Sequence, residues 1–153
     1  SGGVSMGRYD LIRDLMLSEG EIHFWKVKMK PGGPALCGTW QGLPIIGLPG
    51  NPVSSLITFE VLVKPALYRC LGRNDLPHKK LLGYAKTPFK VLQDKDAYWR
   101  AQLGFEGGIP WVSCFGQQSS GVLRSLVECN ALVVTLAQQA AIEVGSGVEI
   151  LWL

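Results

Sequence analysis

The chain has 153 residues, 47% of them hydrophobic and 18% charged, with a formal net charge of +3. That is enough apolar material for a packed core in one domain or two small ones, and it argues against a disordered chain. The mild charge, without a dense Lys/Arg cluster, argues against a nucleic-acid binder but permits an anionic ligand. No apolar run reaches the roughly eighteen residues needed to span a bilayer, and Leu56–Leu71 is broken by Thr58, Glu60, Lys64, Pro65 and Arg69. The four cysteines have no C-x-x-C spacing and there are only two histidines, so no zinc pattern forms. The expectation is four reduced, mostly buried thiols in a cytoplasmic protein.

In chain order, Ser1–Gly7 is a Gly-rich loop without the basic and apolar regions of a signal peptide. Asp10–Glu19 predicts a short helix, with Leu11, Ile12, Leu15 and Met16 on one face and Gly20 as its stop. Ile22–Lys30 alternates with period two and predicts one strand, ended by Pro31-Gly32-Gly33-Pro34. Residues 35–40 and 43–48 predict a hairpin turning at Gln41-Gly42. Pro49-Gly50-Asn51-Pro52 then opens a helix capped by Asn51 or Ser54, kinked near Pro65 and stopped by Gly72.

After Gly72 the character changes to short β runs at 80–85, 97–105, 111–115, 131–136 and 148–153. Gly107-Gly108 and Gly145-Ser146-Gly147 mark turns between them, and residues 119–127 leave room for one helical turn. The predicted organisation is therefore an α/β piece over residues 1–74 and a small all-β barrel over 75–153. One strand, a hairpin and two helices are too few to cover both faces of a sheet, so strands preceding Ser1 are expected.

Several residues are suited to anion chemistry. Gly2, Gly3 and the Val4-Ser5-Met6-Gly7 stretch precede a helix, where converging N–H groups could cradle phosphate; an ordinary tight turn has the same composition. Asp10 either complements the helix dipole or holds a divalent cation. Lys26, Lys28 and Lys30 fall on one strand face, as a solvated edge or as a basic wall. Pro49–Ser54 stiffens a helix start and offers the Ser54 hydroxyl. In the β part, Arg100, Ser120 and Ser125 have the donors a tetrahedral oxyanion accepts, although a polar turn with a surface arginine reads the same way.

Three motifs occur in order: Ser1-Gly2-Gly3-Val4-Ser5-Met6-Gly7-x-x-Asp10; Phe24-x-x-Val27-x-Met29-Lys30-Pro31-Gly32-x-Pro34; and Leu48-Pro49-Gly50-Asn51-Pro52-Val53-Ser54. Arg100, Gly116-x-Gln118-x-Ser120, Ser125 and Asn130 follow. Together they resemble the molybdopterin molybdenumtransferases of the MoeA/gephyrin family over essentially the whole chain. Position 8, usually acidic in the family, is Arg8 here, and position 33, often Lys, is Gly33.

The resemblance implies a partial three-layer α/β domain like that of the MoaB/Mog adenylyltransferases, followed by the family's C-terminal barrel. It implies insertion of molybdate into adenylylated molybdopterin with release of AMP, aided by a divalent metal, Mg²⁺. It further implies a homodimer with a cleft built from more than one subunit, and the upstream molybdopterin adenylyltransferase as a partner. Gly2, Gly3, Val4 and Ser5 would serve the pterin and phosphates, and Asp10 the metal. Lys26, Lys30, Pro31, Ser54, Arg100 and Ser120 would serve molybdate, with Asp10 and Lys30 as catalytic residues. The family's two N-terminal domains are absent from this sequence, so the chain alone is not expected to catalyse. A scaffold or binding role, or an inactive paralogue, is the alternative within the same family.

Overall fold

The computed structural model describes residues 11–114, 118–119 and 121–153. The chain divides into two compact units, residues 1–74 and 75–153. It combines a mixed α/β portion with a closed five-stranded β-barrel.

In the first unit, α1 (Leu11–Glu19) runs directly into β1 (Gly20–Trp25), and a two-residue strand β2 (Met29–Lys30) follows. Strands β3 (Leu36–Trp40) and β4 (Leu43–Gly47) form a hairpin whose turn residues Gln41 and Gly42 both have positive φ, 49° and 78°. That is the backbone of a tight two-residue turn matching strand twist. The sheet order is β1-β3-β4, antiparallel throughout. Met16 and Leu36 are buried where α1 covers the sheet, with Ile12, Ile22, Trp25, Trp40 and Ile45 around them. Gly38 permits this closeness: a Cβ there would lie 2.2 Å from the Glu21 carbonyl and 2.5 Å from Met16 Cε.

Two expectations need correction here. Gly20 is not a left-handed helix stop. It opens β1, and its missing side chain makes room for Met16, whose Sδ and Cε would be 3.0 Å from a Cβ. Nor do residues 22–30 form one strand. The β1–β3 register slips between Ile22 and Phe24, and Lys26 has φ 72°. The Lys26 N–H donates to the Ala35 carbonyl (2.9 Å) and the Val27 N–H to the Gly33 carbonyl (2.8 Å). These cross-loop bonds outweigh the ordinary cost of a positive φ at a residue with a side chain.

The long helix is also more structured than a kink. It comprises α2 (Pro52–Thr58), a π-helical stretch (Phe59–Val63) and α3 (Lys64–Cys70). Asn51 caps it, its Oδ1 accepting from the Ser54 N–H at 3.2 Å. The Lys64 N–H bonds back to the Phe59 carbonyl, so the wider π register comes immediately before Pro65, which has no N–H to donate. At the C-terminus Gly72 (φ 73°) donates to the Arg69 carbonyl and Arg73 to the Tyr68 carbonyl, which closes the helix with the paired bonds of a Schellman cap.

In the second unit, β5 (Lys79–Ala85), β6 (Asp96–Glu106), β7 (Ile109–Cys114), β8 (Ala131–Thr135) and β9 (Gly147–Trp152) run in the order β6-β7-β5-β9-β8. Pairing of β6 with β8 closes the ring. Gly107 (φ 57°) and Gly108 (φ 81°) turn β6 into β7, and residues 119–127 contribute a short helix, α4 (Arg124–Val127). Ala85, Ala101, Leu103, Val112, Ala131, Val133, Val148 and Ile150 fill the interior. Gly83 is obligatory there, because a Cβ would lie 2.6 Å from both Ile150 Cδ1 and the Pro110 carbonyl.

None of the cysteines is disulfide-bonded; Cys70 is exposed and Cys37, Cys114 and Cys129 are only half-buried, which corrects the expectation of mostly buried thiols. No helix among the described residues is long and apolar enough to cross a membrane.

Candidate functional site

In the first unit the loop after β2 lies against the start of α2. Gly32 (φ 102°) sits where a Cβ would be 2.1 Å from Thr58 Oγ1 and 3.4 Å from the Ser54 carbonyl. The Thr58 hydroxyl donates to the Gly32 carbonyl at 3.4 Å. Lys30 and Pro31 are thereby carried to the helix turn that bears Ser54, which is 8% exposed. Residues expected from two separate motifs thus share one neighbourhood.

The charge pattern is simple. Lys26, Lys28 and Lys30 are exposed while Val27 and Met29 are more buried, so the alternation of exposure survives the break in the strand. The Lys26 ammonium sits 4.4 Å from the Trp25 ring centroid. Lys30 projects from the end of β2 with no carboxylate partner among the described residues. An exposed ammonium can donate to an oxyanion with charge assistance.

In the second unit Arg100 is 1% exposed, so it is not a surface arginine. Its backbone N–H donates to Gln118 Oε1, and the Gln118 amide donates to the Arg100 carbonyl, both at 3.0 Å. The Gln118 amide thus imitates a strand partner on the β7 side of β6, beyond the last paired residue of β7, Cys114. Asn130 does the same on the β8 side: its Oδ1 accepts from the Leu103 N–H (2.7 Å) and its Nδ2 donates to the Leu103 carbonyl (3.1 Å).

The Arg100 guanidinium donates through Nη2 to the Ser119 carbonyl at 3.2 Å. Its Nε is buried with no hydrogen-bond partner among the described residues, and no carboxylate there neutralises it. Burial lowers the Arg100 pKa from its ordinary value, and the neighbouring Cys129 and Cys114 partly oppose that. A shielded cation held by one neutral carbonyl among the described residues is electrostatically incomplete, and an anion would complete it.

Gly2, Gly3, Val4, Ser5 and Asp10 lie outside the described residues, as does Ser120. Ser125 is buried and its hydroxyl donates to the Val122 carbonyl at 2.5 Å, so it braces the turn before α4.

Residues 1–69 match the family model described as a probable molybdopterin binding domain, and residues 83–153 match that of the MoeA C-terminal region, domain IV. The chain belongs to the MoeA family. It is 34% identical to molybdopterin molybdenumtransferase 2 of Mycobacterium tuberculosis, over 98% of this chain and 38% of that protein. It is 36% identical to the molybdopterin molybdenumtransferase of Synechococcus elongatus, over 98% of this chain and 36% of that protein. A crystal structure of the MoeA molybdopterin biosynthesis protein of Pyrococcus horikoshii matches with a TM-score of 0.75 at 26% identity, over 94% of this chain and 34% of that one. The chain thus spans a little over a third of the length of these MoeA relatives.

Within this MoeA chain, Thr58 emerges only from the structure. Thr58 supports the Lys30–Gly32 loop from 26 residues away, a contact no local pattern encodes. Gly33 is tight, since a Cβ would lie 3.2 Å from the Met29 carbonyl and 3.3 Å from that of Val27. The magnesium implied by the MoeA resemblance finds no ligand set in the described part: no three His, Cys, Asp or Glu side chains come together there.

Proposed function

We propose that the protein is a molybdopterin molybdenumtransferase, which inserts molybdate into adenylylated molybdopterin and releases AMP. The observation that carries this reading is the succession of the two family models along the chain, a molybdopterin-binding domain followed by MoeA domain IV. In the first unit Lys30 and Ser54, with Lys26 and Pro31, are the molybdate-binding groups, and Lys30 is catalytic. In the second unit Arg100 and Ser120 have the same assignment.

Molybdate is a tetrahedral dianion. Its oxygens accept from an ammonium, a hydroxyl and a guanidinium, and donors fixed before it arrives need no reorganisation when it binds. The Thr58–Gly32 contact and the cross-loop bonds from Lys26 and Val27 provide that fixation in the first unit.

By resemblance to the family, Gly2, Gly3, Val4 and Ser5 bind the pterin and phosphates, and Asp10 is the catalytic carboxylate and ligand to Mg²⁺. The same resemblance supports a cytoplasmic homodimer that receives its substrate from a molybdopterin adenylyltransferase. The test is direct: supply the intact protein with adenylylated molybdopterin and molybdate, and measure AMP release together with cofactor formation. Molybdate-dependent release of AMP is expected, and its absence in the intact, folded protein would overturn the reading.

A further inference from the structure

Trp25 ends β1 and packs, half-buried, against the core formed by Met16 and Leu36. Two cations rest on it. The Arg13 guanidinium carbon, from α1, and the Lys26 ammonium each lie 4.4 Å from its ring centroid. Arg13 sits on a helix packed against β1, and the Lys26 backbone is fixed at φ 72° by its bond to Ala35.

An indole face attracts each cation, but two cations on one ring repel each other. No carboxylate among the described residues forms an ion pair with either of them. Arg13 Nε is shielded from solvent with no hydrogen-bond acceptor in the same set. A guanidinium and an ammonium on one indole, neither paired with a carboxylate among the described residues, have the chemistry of a phosphate site. The fork of Arg13 addresses two oxygens and Lys26 adds a point charge.

We propose that Arg13 and Lys26, seated on Trp25, bind a phosphate-bearing anion. In the reaction proposed above, on which the substrate's identity here rests, this anion is the phosphate linkage of the adenylylated substrate. Arg13 is then a specificity residue for the phosphorylated substrate, and Lys26, among the groups assigned above to molybdate, is shared between the two anions.

Inorganic pyrophosphate serves as the probe, titrated calorimetrically into the intact protein without molybdate. Arg13→Gln and Lys26→Gln should each weaken binding by about tenfold or more, and Lys28→Gln should leave it unchanged. Trp25→Phe keeps an aromatic seat and should lose less than Trp25→Leu; far-UV circular dichroism confirms that each variant is folded. If Trp25→Leu unfolds, the Arg13 and Lys26 variants decide the matter. Absence of pyrophosphate binding by the wild type, or wild-type binding by Arg13→Gln, would overturn the proposal. Measuring AMP release on the same samples separates the two readings. Turnover with Arg13→Gln still binding pyrophosphate sinks this site alone. Pyrophosphate binding that depends on Arg13 without any turnover sinks the enzymatic reading and leaves the site standing.

Discussion

Gly32 and Thr58 are so closely apposed that a Cβ on Gly32 would stand 2.1 Å from the threonine Oγ1, while that hydroxyl donates to the Gly32 carbonyl. The contact joins the loop bearing Lys30 to the helix bearing Ser54, and Gly32 is also at φ 102°, where a side chain is strained. Gly32→Ala should therefore lower stability by about 2–4 kcal/mol, from backbone strain and overpacking together. Thr58→Ala opens the space, so the double variant should be more stable than the sum of the single effects by more than about 0.5 kcal/mol. Urea unfolding of the four proteins checks this. Strict additivity would mean that the two residues do not meet.

The amide of Asn130 replaces a strand partner for Leu103. Asn130→Ala leaves a buried residue's N–H and carbonyl without these bonds, at a cost of about 1–2 kcal/mol because the asparagine itself is exposed. Asn130→Asp keeps the acceptor and loses the donor, and should fall between the two. Hydrogen exchange at the Leu103 amide should quicken in Asn130→Ala well before exchange in the middle of β9 does.

The thiols should differ in chemistry. Burial raises the pKa of Cys114 and Cys129, against which the positive charge of Arg100 acts, whereas Cys70 is exposed. An aromatic disulfide reagent at neutral pH should label Cys70 long before Cys114 or Cys129. The same shift has a stability consequence. The native state holds these protons more tightly than the unfolded chain, so their contribution is complete below the ordinary thiol value of 9.0 and is lost as pH rises from there through the raised values. Unfolding midpoints should fall above about pH 9, and Cys114→Ala with Cys129→Ala should flatten that fall. Tyr98, raised by burial and by Asp96 and Glu149, adds a later decline of the same sign above its ordinary 10.0.

Much of the fold is legible from local chemistry. Gln41-Gly42 and Gly107-Gly108 turn where positive φ is needed, Asn51 caps α2, and Gly72 closes α3. The five barrel strands lie where apolar runs alternate with turn residues. The failures all involve tertiary partners. Residues 22–30 alternate as a strand should, but the bond from Lys26 to Ala35 wins locally and imposes a positive φ on a lysine. Gly20 has the composition of a helix stop but is small because of Met16. Of the candidate site, Lys30, Ser54 and Arg100 are identifiable as donor types at element ends or in the barrel. The burial of Arg100, the amide support from Gln118 and the seat of Arg13 on Trp25 depend on chain segments meeting across the fold.

We propose that particular cations of this chain, and not its positive charge in general, act on molybdate. Cofactor formation by the intact protein, measured against molybdate concentration, tests it with Lys30→Ala, Arg100→Ala and Lys28→Ala side by side. Removing a charged partner typically costs about 2–5 kcal/mol, so Lys30→Ala and Arg100→Ala should weaken molybdate-dependent turnover by roughly thirtyfold or more. Lys28→Ala should change it far less. Small and equal effects of all three substitutions would contradict the account.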